Sequence, residues 1–474
     1  MKLVCNPKIK SIIEVTISNI MSVASGVVVG LLLPRILPIE DYGWFKTFSL
    51  YATYVGFCSL GLIDGIVLRH GGDDYQDLNR YLFRGYFKVY AGINGVFVLI
   101  LLLLSCVFHD KNYSYILLML SLYLFAVNIS GYFQQISQIT QRFKEYSLRK
   151  IIYSGLKIII VGILFLGELL GVTPNYYIFL IYFVLSEYIL TIWYIFTYRD
   201  IVKGKSEKIQ NIKKDILYLI KIGFPLLFAN LCSTLILSLD RQFVSVLFDK
   251  ETYAVYAFAY NMLALVTVAM SAISTVLYPT LKRTTEETMK KNFSNLVSII
   301  SMMVFATIVL YFPLCNVVKW FLPKYIDSLP IFRIVFPGLA ISSSITVVMH
   351  NYYKTLGKNQ IYFKKSILVL IISALANGIA YVVFRTPSAI SIASIVTMII
   401  WYILAEQFFV NNYSYERKRN IFYIMSMMIT FYLVTSLDNY FLGFLLYVIL
   451  FILLSLLFHN QVIRKELPQI LKRK

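Results

Sequence analysis

Eight charged side chains stand out inside apolar runs of this sequence: Lys46, Arg84, Lys88, Lys157, Arg241 and Arg333, with the carboxylates Glu187 and Asp240. A charge at the centre of a membrane helix costs roughly 2.5–3.5 kcal/mol on insertion scales, so such residues ordinarily face a cavity or a partner. The chemistry that six cations suit is recognition of an anion. Arg presents a planar fork that grips phosphate through two parallel bonds, and Lys acts as a point charge. Glu187 and Asp240 are the candidates for a coupling ion. Each residue also has a plainer role. Arg84, Lys88, Lys46 and Arg333 could reach the headgroups along their own apolar stems. Lys157 and Glu187 could form a structural pair. Asp240 and Arg241, adjacent on one helix, point in different directions and need not pair.

Uncharged polar residues share these runs: Asn128, Gln134, Gln135, Gln138, Asn230, Asn261 and Asn377. They suit sugar hydroxyls. Their plainer use is hydrogen bonding between helices, worth about 0.6 kcal/mol on average. Signals for catalysis are thin. No glycine-rich loop is followed by Lys-Ser/Thr, so ATP hydrolysis is not indicated. His70, His109, His350 and His459 are scattered, and Cys5, Cys58, Cys106, Cys232 and Cys315 form no close pairs. Neither a metal site, a disulfide framework nor a cofactor is expected.

The elements that hold these residues follow from composition. Of 474 residues, 59% are hydrophobic and 14% charged, against about 25% charged in a soluble domain. Apolar runs of about 20 residues recur along the whole chain, and each can cross a hydrocarbon core of roughly 30 Å. The pattern predicts an all-α integral membrane protein with about fourteen transmembrane helices. They cover residues 12–33, 44–68, 82–108, 113–136, 151–170, 176–198, 217–248, 253–281, 293–320, 329–350, 362–384, 389–409, 421–437 and 440–458. Most of the 44 Lys and Arg residues fall in alternate connections; Arg35, Lys111, Lys250, Lys319, Lys324 and Arg385 fall in the others. This is the positive-inside pattern, with both termini cytoplasmic. It accounts for most of the net charge of +20 without invoking nucleic acid.

A weak internal repeat divides the chain. The stretch Glu40-Asp41-Tyr42 after the first span is matched by Glu251-Thr252-Tyr253 after the seventh. Phe143-Lys144-Glu145-Tyr146 before the fifth span is matched by Asn359-Gln360-Ile361-Tyr362 before the eleventh. Six spans return the chain to its starting side, so the halves would be parallel. The expected organisation is a six-helix lobe over 1–198, a cytoplasmic linker over 199–216, a second six-helix lobe over 217–410, and two extra helices with a basic tail over 411–474. Pro225, Pro279, Pro313 and Pro337 are candidate bending points, although membrane helices often tolerate Pro without a gating role.

Several segments resemble the polysaccharide-exporter branch of the superfamily that also holds the multidrug and toxin extruders. In the first half these are Pro38-Ile39-Glu40-Asp41-Tyr42-Gly43-Trp44-Phe45, Ser59-Leu60-Gly61-Leu62 and Arg69-His70-Gly71-Gly72. In the second half they are Asp240-Arg241-Gln242-Phe243, the tyrosine-rich stretch 253–260, Tyr278-Pro279-Thr280-Leu281, Leu322-Pro323-Lys324-Tyr325 and Leu356-Gly357-Lys358. Lys46 departs from the pattern, where a neutral residue is expected. The resemblance covers most of residues 10–410. It implies two six-helix lobes plus two C-terminal helices in a bacterial cytoplasmic membrane. It also implies a non-enzymatic flippase that moves a polyprenyl-pyrophosphate-linked oligosaccharide repeat unit by alternating access through a cationic cavity, for O-antigen or capsule. Expected partners are the lipid-linked substrate, membrane lipids, and the polymerase and chain-length proteins of the same pathway.

Two other readings compete. A cation-coupled multidrug extruder needs buried carboxylates, for which Glu187 and Asp240 are the candidates. A membrane polymerase or glycosyltransferase usually needs a large loop on the far side or an acidic catalytic cluster, and the odd-numbered connections here are short.

Overall fold

A computed structural model describes residues 7–466 except Ser414 and Asp438. Outside this description lie the side chains of residues 7–13, 15, 16, 265, 266, 268, 269, 271, 272, 275, 276, 278–280, 465 and 466. Cys5, the terminal cations Lys2, Lys8, Lys10, Lys465, Lys472, Arg473 and Lys474, and the side chains of Tyr278, Pro279 and Thr280 therefore lie outside the described residues. The described residues form helices and connecting turns, with no strand among them. This all-α architecture is what lipid demands, since a helix pairs its backbone groups within itself.

The chain forms two compact units, Met1–Leu231 and Cys232–Lys474. The first contains α1 (Pro7–Ile36), α2 (Ile39–Ala52), α3 (Leu62–His70), α4 (Arg80–Val107), α5 (Lys111–Ile139), α6 (Phe143–Leu169), α7 (Tyr176–Thr197), α8 (Arg199–Val202) and the start of α9 (Ile209–Leu247). Within it α1 packs on α6, and α5 packs on α2, α4 and α7. Phe133 on α5 stacks on Tyr194 of α7 and on Tyr198 just beyond it, inside a buried cluster that includes Tyr86, Tyr90 and Tyr132.

The second unit continues with α10 (Lys250–Lys282), α11 (Glu286–Ile308), α12 (Tyr311–Phe321), α13 (Ser328–Val335), α14 (Gly338–Ser343), α15 (His350–Thr355), α16 (Asn359–Phe384), α17 (Pro387–Asn412), α18 (Arg417–Val434) and α19 (Tyr440–Gln461). There α16 packs on α17, α10 on α13, and α11 on α14 and α18. A six-residue π-helical stretch, Ser344–Met349, joins α14 to α15.

Several helix starts are written in the sequence. Asn79, Asp110, Asn175 and Asn439 each accept hydrogen bonds from the first-turn N–H groups of α4, α5, α7 and α19. Thr386 does so for α17, with Pro387 at the first helical position. These are the residue types whose side chains satisfy orphan donors.

Among the described residues ten helices are long and apolar enough to cross a membrane, or up to twelve if each of two bent pairs is one span. The chain is thus a multi-pass membrane protein, but the expected count of fourteen is not reached on this criterion. The expected span at 253–281 lies in α10, part of whose side chains lie outside the description. That at 421–437 lies in α18, an 18-residue helix that opens on Arg417, Lys418 and Arg419.

Two expected spans, 44–68 and 329–350, are broken. The first bends by 59° between Ile39–Ser59 and Leu62–His70, where Leu60 and Gly61 take φ of 50° and 81°. The second bends by 43° between Ser328–Val335 and Gly338–Thr355. Pro337 sits in that break, lacking the N–H that would continue the ladder. Pro225, by contrast, lies inside a continuous 39-residue α9. That helix begins at Ile209, so much of the expected linker 199–216 is helical.

The broken second span is tied to α9 at very close range. A Cβ on Gly223 would lie 2.0 Å from Gly61 O, and one on Gly65 would lie 2.1 Å from Leu219 O. Small residues that let backbones touch are the usual means of tight packing between membrane helices. Beyond them, Arg69 of α3 and Tyr86 of α4 both hydrogen-bond Asp215 of α9.

Candidate functional site

In the first unit, one aromatic cluster gathers three of the predicted residues. Lys157 lies on α6 and Glu187 on the neighbouring α7. Tyr153, one turn before Lys157, donates its hydroxyl to Glu187 Oε1. Lys157 Nζ lies 3.9 Å from the centroid of the Tyr153 ring and 5.4 Å from that of Phe183. Among the described residues Lys157 and Glu187 form no direct ion pair; Tyr153 joins them, ring to the cation and hydroxyl to the carboxylate. Phe183 also packs edge-on against Phe45, at 6.4 Å. Lys46 lies over the rings of Phe45, at 5.6 Å, and Tyr42, at 5.1 Å. Cation–π contacts of this type contribute about 0.5–2 kcal/mol, more when desolvated.

Arg84 and Lys88 are held by the segment after α7. Arg84 donates through Nε to Asp200 O at 2.8 Å and through Nη1 to Lys205 O at 2.9 Å. Lys88 Nζ donates to Ser206 Oγ at 2.8 Å. The same segment accepts from Tyr75, whose hydroxyl reaches Asp200 Oδ1 at 2.7 Å. Burial and the Asp200 carboxylate push the Tyr75 hydroxyl pKa upwards. Both cations thus fasten a connection to the start of α4.

In the second unit, Asp240 and Arg241 on α9 meet at Tyr260 of α10. The hydroxyls of Tyr256, at 2.8 Å, and of Tyr260 both donate to Asp240 Oδ2. The Arg241 guanidinium lies 4.9 Å from the Tyr260 ring centroid and donates through Nη2 to Leu237 O, one turn back. Arg241 Nε is buried and has no hydrogen-bond partner among the described residues. This arrangement supplies a fixed guanidinium beside a doubly hydrogen-bonded carboxylate.

Arg333 is occupied differently. It donates through Nε to Thr435 Oγ1 at 2.9 Å, and through Nη2 to Tyr432 O at 2.7 Å and to Ser436 Oγ. The three acceptors lie in the last turn of α18 and just beyond it, so Arg333 joins α13 to the first of the two extra helices. Two of the polar residues proposed for sugar contact are likewise engaged. Asn128 donates to Asn94 Oδ1 and to Val55 O beside the break in the second span. Asn377 donates to Ser373 O.

The sequence reading missed several charges. Glu14, Asp64, Glu168 and Glu406 also fall inside the expected spans, so six carboxylates rather than two lie there. Glu406 is fully buried and paired with Arg417. Arg149, expected in a loop, is 2% exposed because α6 begins eight residues before the expected span. Its guanidinium pairs with Glu145 and lies 4.2 Å from the Tyr194 ring centroid. Glu145, one turn earlier at i−4, was the available signal.

Comparisons with known proteins place this geometry in context. The family described as "Polysaccharide biosynthesis protein" matches residues 9–285. No curated protein matches the chain. A solved structure titled as lipid II flippase MurJ in an inward closed conformation is similar over 96% of this chain and 100% of its own, at 16% identity and a TM-score of 0.70. An inward-facing multidrug resistance MATE family transporter of the MOP superfamily is similar over 85% of this chain and 98% of its own, at 15% identity and a TM-score of 0.61. A MOP superfamily transporter from Pyrococcus furiosus, whose title describes reversed polarity of the binding pocket, covers 85% and 96% at 14% identity and a TM-score of 0.58. The protein therefore has the fold of the MOP transporters, and with more than half its length matched it belongs to the polysaccharide biosynthesis protein family.

Proposed function

We propose that the protein is a flippase, not an enzyme. It carries a polyprenyl-pyrophosphate-linked oligosaccharide repeat unit across the bacterial cytoplasmic membrane by alternating access. The product feeds a surface polysaccharide of the O-antigen or capsule type. The observation that carries this reading is the conjunction of family and fold: a polysaccharide biosynthesis match together with a fold shared, over nearly the whole chain, with a structure titled as a lipid II flippase. Arg241 and Lys157 are the cations assigned to the pyrophosphate, with Lys46 beside the same aromatic cluster as Lys157. Arg84, Lys88 and Arg333 have their hydrogen bonds taken by the protein and fit a structural role better. Both termini lie on the cytoplasmic side, and the polymerase and chain-length proteins of the pathway are the natural partners.

Complementation of a flippase-null strain tests the proposal. The wild-type gene restores surface polymer, while Arg241→Ala and Lys157→Ala lower it at normal membrane expression. Wild-type export by both variants removes these residues from the substrate path. Failure of the wild-type gene with several repeat units sinks the flippase reading itself.

One observation favours the multidrug extruder as a second reading. Glu187 and Asp240 are both buried, at 4% and 2% exposure, and both are held by tyrosine hydroxyls. A rise in drug tolerance on expression in a susceptible strain, abolished by Asp240→Asn, would decide for it.

A further inference from the structure

A groove of about 240 Å³ opens where α17 meets α18. Five of its residues, Ile403, Leu404, Gln407, Val410 and Asn411, share one face at the end of α17, and the sixth, Arg417, opens α18. Ile403 continues a ridge of exposed apolar residues along α17 that includes Ile392 and Val396. An apolar track thus leads along the helix to a cation.

That cation is fixed from behind. Arg417 Nε donates to Glu406 Oε1 at 2.7 Å, and Glu406 is fully buried. Among the described residues no protein group takes the two Nη nitrogens, and the side chain is 43% exposed. Lys418 is exposed beside it. Lys365 Nζ is held nearby, donating to Leu404 O at 2.7 Å. Arg417 also stands at the N-terminus of an 18-residue helix whose N-cap, Glu416, makes no side-chain capping bond; the positive end of a helix favours an anion. Glu416 itself is turned to Arg419.

We propose that this groove is a site for an anionic membrane phospholipid. The phosphate sits on the Nη face of Arg417, and one acyl chain lies along Ile403, Leu404 and Val410. A basic pocket between membrane helices, with an apolar approach from the bilayer, is the arrangement that recognises such headgroups. The site shares no residue with the Asp240–Arg241 and Lys157–Glu187 groups and does not depend on what the protein transports.

The full-length protein, purified and delipidated in detergent, provides the test. Its thermal unfolding midpoint is followed on titration with phosphatidylglycerol, with phosphatidylcholine of the same chains, and with a polyprenyl phosphate. A ligand that binds the folded state raises the midpoint with concentration until the site fills. Phosphatidylglycerol raises it, and phosphatidylcholine does not. Ile403→Trp fills the groove at an exposed position, leaves the ion pair intact, and abolishes the rise. Because Arg417→Gln alone strands a buried carboxylate, the double variant E406Q/R417Q replaces it and also loses the response. An equal response to phosphatidylcholine overturns the proposal. So does a response that survives in both variants, or one given by the polyprenyl phosphate alone.

Discussion

Asp240 and Arg241, adjacent in sequence, use opposite parts of one side chain: the Tyr260 hydroxyl donates to the Asp240 carboxylate, and its ring lies 4.9 Å from the Arg241 guanidinium. Two charges on neighbouring positions of a helix point about 100° apart and would not otherwise be coupled. Tyr260 couples them without a salt bridge. Tyr260→Phe keeps the ring and deletes one of the two bonds to Asp240, while the Tyr256 bond at 2.8 Å remains. Export by Tyr260→Phe should fall less than by Arg241→Ala, whose loss should be about tenfold or more if a charged contact of about 1.4 kcal/mol is removed. Quantified surface polymer in the complemented strain checks the order of the two effects.

The contact between Gly61 and Gly223 leaves no room for a methyl group. A Cβ on Gly223 would lie 2.0 Å from a backbone oxygen, which cannot rotate away. Gly61 adds a positive φ of 81°, which L side chains disfavour. Gly223→Ala should lower stability by about 1–3 kcal/mol or more, seen as a lower unfolding midpoint and reduced membrane expression. Gly92→Ala, at a position with nothing within 4 Å of the new carbon, is the control and should behave as wild type.

Arg333 anchors α18 through a backbone carbonyl and two hydroxyls. Hydrogen bonds to a charged group contribute about 1.5–3 kcal/mol. Arg333→Ala should therefore destabilise the second unit, with increased protease cleavage or hydrogen exchange around residues 430–440. Arg333→Lys keeps the charge but cannot serve three acceptors in this fork geometry, and should recover part of the stability. If both variants unfold like wild type, the anchoring role is wrong.

Asp249 caps α10. It accepts from Thr252 N and Thr252 Oγ1, each at 2.8 Å, and these bonds hold its carboxyl below the usual value of 3.8. A carboxylate depressed on folding contributes stability that is fully present above its unfolded pKa and is lost as pH falls through the folded one. Asp249→Ala should thus cost about 1 kcal/mol near neutral pH, and the difference from wild type should shrink below pH 4. Paired unfolding curves at pH 7 and pH 3.5 check the sign.

Much of the membrane architecture was legible in one dimension. Apolar run lengths are local features, and local rules read them; the caps Asn79, Asp110, Asn175, Thr386 and Asn439 are equally local but were not picked out beforehand. Breaks were harder. Pro337 is a visible breaker, but the first bend depends on Gly61, whose reason lies 162 positions away at Gly223.

The sequence by itself determined that this chain spans a membrane and that its apolar runs carry charged side chains at particular positions. Tertiary structure decided which cations remain available. Arg84 is held by Asp200 and Lys205, and Arg333 by Tyr432, Thr435 and Ser436. Arg241 and Lys157 instead rest against tyrosine rings. The reason is physical: hydrophobic pattern fixes the cost of placing a charge at a given depth, which is a property of one position. What offsets that cost is a donor, acceptor or ring contributed by another helix, and folding alone determines which one arrives.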